Sequence, residues 1–99
     1  MRANDVEALT YKADALLDID EDSWALSLID QALEHDKEYG LAYWQRACAR
    51  AKLGQPSEAI EDINRAIELS APLKNEVAEE AYFKDLRDHP EFQALIGDE

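Results

Sequence analysis

The feature that most constrains this chain is that it resembles itself at an offset of 34 residues. Sliding Val6–Tyr39 onto Gly40–Leu73 without a gap superposes Ala8 on Ala42, Ala13 on Ala47, Ala15 on Ala49, Ala25 on Ala59 and Ala32 on Ala66. Ser23 falls on Ser57, Ile29 on Ile63 and Glu34 on Glu68, and Leu26/Ile60, Leu33/Ile67, Ile19/Leu53 and Lys12/Arg46 are conservative pairs. Small residues are needed where the axes of antiparallel helices approach, and aliphatic ones fill the spaces between. A period that keeps both kinds in register describes one supersecondary unit written twice.

Each unit contains two stretches of helical periodicity. The first runs from Asn4 to about Asp18 with Val6, Leu9, Ala13, Leu16 and Leu17 on one face. After the polar turn "DIDEDS", Trp24, Ala25, Leu28, Ile29, Ala32 and Leu33 mark a second helix, with Trp24 expected in the core between paired helices. A third is predicted from about Glu38 to Leu53, stopping at Gly54, and a fourth within Leu53–Leu69, carrying Ala59, Ile60, Ile63, Ala66 and Ile67. No segment shows two-residue alternation or β-branched enrichment, so the fold class is all-α.

The length suits one domain, residues 1–99, with repeat 1 at about 6–39, repeat 2 at about 40–73 and a closing segment at about 74–97. In that last segment the register is lost and "EEAYFKDLRDHPEFQALIG" follows. Leu73, Val77, Phe83, Leu86, Phe92, Leu95 and Ile96 are its expected core-facing residues, because the last unit of a stacked array exposes an apolar face that an atypical element must cover. Asp88 is expected to cap the final short helix, with Glu91 three residues on.

The 34-residue helix-turn-helix unit resembles the tetratricopeptide repeat family. The second unit carries the resemblance through Tyr43, Ala47, Gly54, Ala59, Ile63 and Ala66, with Pro72 one residue later than the family's proline. In the first unit Leu9, Asp20 and Lys37 stand at the aromatic, glycine and proline positions. The closing segment resembles the "end-of-group" ending of bacterial members, through Tyr82 or Phe83, Leu86, Arg87, Asp88, Pro90, Phe92 and Leu95. The resemblance implies two stacked hairpins in a right-handed α-solenoid with a short helical C-terminal cap. It also implies a concave groove, lined by the first helix of each unit, that takes a segment of another protein.

Carried over by position, the groove residues are Thr10, Tyr11 and Asp14 on the first helix and Leu41, Trp44, Gln45 and Cys48 on the third, with Glu7, Asp18 and Lys52 beside them. Tyr11 and Trp44 are the anchor candidates, since large aromatics offer contact area at low entropy cost. For Trp44 the alternative is burial under the closing segment. The family's lysine–asparagine–arginine clamp for acidic chaperone tails is absent, with Thr10, Asp14 and Gln45 at its places, so a cochaperone role is disfavoured.

Charge narrows the partner. The chain has 23 acidic and 10 basic residues, a formal charge of −13, and no basic cluster, which excludes nucleic acid and an anionic membrane surface as natural partners. No apolar run approaches the roughly 20 residues of a membrane span. "MRANDVEAL" lacks the apolar core of a signal peptide and Cys48 is the single cysteine, so a cytoplasmic location is expected.

Catalytic or metal chemistry is not expected. Asp18, Asp20 and Asp22 begin like a calcium loop, but Ser23 and Ile29 stand where its glycine and bidentate glutamate belong, so a solvated turn with capping carboxylates is the better reading. His35 and His89 have no ligand-spaced neighbours, and no activating pattern surrounds Cys48. No cofactor is implied. The reading is a non-catalytic module for protein–protein interaction, its partner segment basic or apolar-aromatic rather than acidic. The alternative is a self-associating unit that forms a homodimer, which two repeats, fewer than the usual three, favour.

Overall fold

The computed structural model describes residues 4–96, which are helical throughout apart from turns, with no strand among them. Four helices form two antiparallel hairpins: α1 (Asn4–Asp18) packs on α2 (Asp22–His35), and α3 (Gly40–Lys52) on α4 (Pro56–Leu69). The hairpins pack consecutively, α2 against α3 and α1 against α3. Two 3₁₀ segments follow, Ala71–Glu79 and Ala81–Leu86, and then a short helix α5 (Pro90–Leu95). Gly97, at the end of the expected cap, lies outside the described residues.

The helix limits follow from local chemistry. Pro56 opens α4 at a position where a missing N–H leaves no bond unmade, so the helix begins three residues later than Leu53. Gly40 opens α3, two residues later than expected; an added Cβ there would stand 3.3 Å from the Cβ atoms of Leu69 and Ser70, so the end of α4 approaches this point closely.

The two hairpins repeat each other in hydrogen bonding as well as in sequence. In the first turn Glu21 N–H donates to Leu16 O at 2.8 Å and Asp20 N–H to Leu17 O at 3.1 Å. In the second, Gln55 N–H donates to Arg50 O at 2.8 Å and Gly54 N–H to Ala51 O at 3.2 Å. Both are the closure in which a left-handed residue turns the chain back onto the last helical carbonyls. The bonds Asp36 N–H to Ala32 O and Ser70 N–H to Ala66 O close the second helices in the same register.

A single cluster of buried side chains runs from α1 to α5. Ala13, Ala25, Ile29 and Ala32, and their counterparts Ala47, Ala59, Ile63 and Ala66, have no exposed surface. Val77, Phe83, Leu86 and Phe92 from the closing segment complete the cluster, with Leu73, Leu95 and Ile96 packed at its margin. The last unit's apolar face is therefore covered, largely by 3₁₀ structure rather than by regular helix.

Arg46 joins three helices. Its guanidinium donates from Nε and Nη2 to the two carboxylate oxygens of Asp62 on α4, each at 3.1 Å, and from Nη1 to Asp30 on α2 at 3.0 Å. Arg50 adds a bond to Asp62 at 2.8 Å, so this buried carboxylate faces two cations.

Three expectations are corrected. Trp24 is exposed on half of its surface rather than held in the core, with the Lys12 ammonium 5.6 Å from its ring centroid. Asp88 does not cap α5: Pro90 occupies the first helical position, which makes His89 the cap residue, and no side chain caps there. The acidic turn does not cap α2 either, since Glu21 at that position makes no side-chain bond. Ala8 and Ala15 are exposed although their counterparts Ala42 and Ala49 are fully buried, because α1 has no helix on the side where α3 meets the first hairpin.

Candidate functional site

A groove of about 300 Å³ runs between α1, α3 and the junction of the two 3₁₀ segments. The turn of each helix within it follows from the repeat, because the residues that face away from the hairpin partner on α1 and on α3 converge on the same side. All seven sequence-designated residues, Thr10, Tyr11, Asp14, Leu41, Trp44, Gln45 and Cys48, line this one groove, together with Glu7. Their roles differ sharply.

Tyr11 and Leu41 are the exposed apolar walls, with 77% and 41% of their surfaces open. Trp44 is not free to anchor a partner. It is 6% exposed, and its ring meets Phe83 edge-to-face with centroids 5.1 Å apart, so it belongs to the core beneath the closing segment and shows the groove only a margin. Of its two alternatives, burial holds. Phe83 in turn meets Phe92 at 6.2 Å, which links the groove floor to α5.

Thr10 is buried, and its hydroxyl turns back onto its own helix, 3.0 Å from both Val6 O and Glu7 O. That arrangement satisfies the hydroxyl locally. Gln45 crosses to α1, donating from Nε2 to Thr10 O at 3.1 Å, while its Oε1 is buried without a donor. Cys48 is buried, and burial, reinforced by the charges of Glu80 and Asp14, pushes its thiol well above the usual range. It stands on the floor as a buried thiol whose surroundings disfavour the thiolate.

Asp18 and Lys52, expected along the groove, are engaged elsewhere. The Tyr82 hydroxyl donates to Asp18 Oδ1 at 2.6 Å, which together with partial burial holds the phenol above its ordinary pKa. Lys52 donates to Leu17 O at 2.6 Å and to Asp20 Oδ1 at 2.8 Å, with Asp22 Oδ1 at 3.2 Å. Burial works against its charge, but the two aspartates outweigh it and raise the ammonium pKa. The acidic turn thus holds a lysine.

Three lining residues were not designated for the groove from the sequence: Tyr39, Glu80 and Leu17, the last read there as part of the apolar face of the first helix. Glu80 sits in extended backbone between the 3₁₀ segments, and its side chain accepts from Tyr82 N–H at 3.4 Å. The pattern Glu-x-Tyr at the start of a turn was its signal, a carboxylate two residues ahead of the N–H it receives. The groove is thereby ringed by Glu7, Asp14 and Glu80, with no lysine, arginine or histidine among its described lining residues.

Among the described residues no group of three or more His, Cys, Asp or Glu is arranged to hold a metal ion, and no helix is long and apolar enough to cross a membrane. No family model, curated protein or solved structure matches the chain.

Proposed function

We propose that this chain is a non-catalytic protein–protein interaction module of the tetratricopeptide type, two repeats and a closing cap, whose concave groove takes a segment of a cytoplasmic partner protein. The observation that carries the reading is the convergence of corresponding positions on α1 and α3 around one acidic groove with two exposed apolar walls. The turn hydrogen bonds, which fall on pairs of residues 34 positions apart, support the repeat. Three carboxylates at the rim favour a basic or apolar-aromatic segment and repel an acidic one. Titration with peptide libraries of opposite charge tests it: basic peptides should bind, and more weakly as salt is added. A preference for acidic peptides would remove the reading.

One observation favours a second reading, self-association into a homodimer. Ala8 and Ala15, whose counterparts are buried against the first hairpin, are exposed on α1, with Ile19 and Trp24 exposed as well. Sedimentation at several concentrations separates the two, because a homodimer dissociates on dilution and a peptide-binding monomer does not change.

A further inference from the structure

We infer that the outer face of the first hairpin takes a second copy of this chain, in a closed two-fold pair that leaves the groove open. The inference rests on the self-association reading above and names its face and its geometry. Asp5, Ala8, Lys12 and Ala15 follow one another at helical spacing on α1, and Ile19 continues the line one residue past its end. From α2, Trp24 lies beside Lys12, and His35 shares a shallow hollow with Asp5 and Ala8. Ile19 and Trp24 are 65% and 51% exposed. On α3 the counterparts Ala42 and Ala49 have no exposed surface, because the first hairpin covers them. The outer face therefore keeps the pattern of one that is covered, and none of its residues lines the groove.

Charge and access name the occupant. Two chains of formal charge −13 repel, so copies meet where the acidity is least. The stripe from Asp5 to Ile19 sets one carboxylate, Asp5, against one ammonium, Lys12, whereas the groove is ringed by three carboxylates. At the other end of the molecule Val77, Phe83, Leu86 and Phe92 already cover the second hairpin. Head-to-tail stacking is thus blocked. Two outer faces can meet only each other, which closes the assembly at two copies.

Self-complementarity gives the direction. With the two α1 helices antiparallel and Ile19 of one copy over Ala8 of the other, Lys12 falls over Ala15 in both halves. Bulk then meets a small residue at each step, and the lysine stem lies on apolar surface with its ammonium at the rim. Parallel pairing would set Ile19 on Ile19 and bring the two Lys12 ammoniums together, which costs affinity. The helix α1 is about 22 Å long and the two-helix face about 20 Å across. Two such faces bury on the order of 1,000 Å², the lower limit of specific association, so the pair forms at micromolar concentrations and above. Added salt screens the repulsion and strengthens the pair, the opposite of its effect on a basic segment in the groove.

The test is sedimentation equilibrium of the full chain from about 5 to about 500 μM, in low and in high salt. The mass should rise to that of two copies and no further, and at lower concentration in high salt. Ala15→Glu should stay monomeric over the same range with unchanged thermal unfolding. Ala94→Glu, the same charge change at an exposed position of α5, should pair like the parent. Ile19→Ala should raise the dissociation constant about tenfold. If Ala15→Glu and Ile19→Ala paired as the parent does, or if Ala94→Glu also failed to pair, the assignment of the face would fall while self-association stood. Growth beyond two copies would overturn the closed geometry. A monomer at every concentration and salt would remove the inference and the self-association reading together, and leave the groove reading untouched.

Discussion

Asp20 and Gly54, 34 residues apart, adopt the same left-handed backbone, with φ of 64° and 78°, and are the two described residues that do so. Each ends the first helix of its hairpin. The space around Gly54 is open, with nothing within 4 Å of an added Cβ, so a substitution there meets only the conformational penalty. Gly54→Ala is expected to lower stability by about 1–2 kcal/mol, and Gly54→Asp by less, because aspartate tolerates this region. Urea denaturation of the two variants checks the order.

Trp44 and Tyr11 line the same groove from opposite states of burial, and their alanine variants should fail in different ways. Trp44→Ala removes an indole packed against Phe83 and is expected to cost about 3–5 kcal/mol of stability. Tyr11→Ala should leave thermal unfolding unchanged and weaken binding of a basic peptide by about 2 kcal/mol. Equal stabilities for the two variants would contradict the packing of Trp44.

Truncation after Pro72 removes Val77, Phe83, Leu86 and Phe92, each with 1% or less of its surface exposed. The second hairpin then shows water the apolar face those side chains cover. The shortened chain is expected to bind hydrophobic dyes and lose sharp thermal unfolding. A monomeric product with cooperative melting would show that the closing segment is dispensable.

Alkaline pH should destabilise the fold. Burial raises the Cys48 thiol, so between neutrality and pH 9.0, its ordinary value, the thiol is protonated in both states and its environment costs nothing. Above that point the unfolded chain releases a proton that the folded chain retains, and stability falls by about 1.4 kcal/mol per pH unit from this group. Tyr82, raised by its bond to Asp18, adds to the loss from about pH 10.0. Cys48→Ala should flatten the first part of the decline. Comparing urea midpoints of both proteins at pH 8, 9 and 10 measures it, and slow reaction of the native thiol with an alkylating reagent is the matching kinetic observation.

The helices and their pairing were legible because periodicity and the repeat are properties of residue order alone. The placement of Trp24 was legible too, through the register rather than the apolar stripe. It aligns with Glu58, an exposed position of α4, and reading a tryptophan as core by its size overrode that evidence. The groove's seven designated residues share one concavity because the spacing on α1 and α3 determines which way they face. Spacing does not reveal what lies above them. Trp44 is withdrawn, and Glu80 contributed, by a non-repeating segment whose 3₁₀ path has no periodic signature. The engagement of Lys52 by Asp20 and Asp22 was hidden for a similar reason, since it joins turns from different units over 30-odd residues of chain.

The bond from Tyr82 to Asp18 spans 64 positions, while most other contacts join neighbouring helices. Closing such a loop in a disordered chain would cost roughly 4 kcal/mol of entropy before any return. Once α1–α2 and α3–α4 exist, the loop still to be closed shrinks to the stretch between Leu69 and Tyr82, which lowers that cost by about 1.4 kcal/mol. The closing segment is thus poised to dock last, and its docking requires both hairpins to be in place. The order of assembly is thus written into the contacts: the segment that carries Glu80 to the groove wall finds its place only against helices already paired, so the concavity takes its final shape as the core closes.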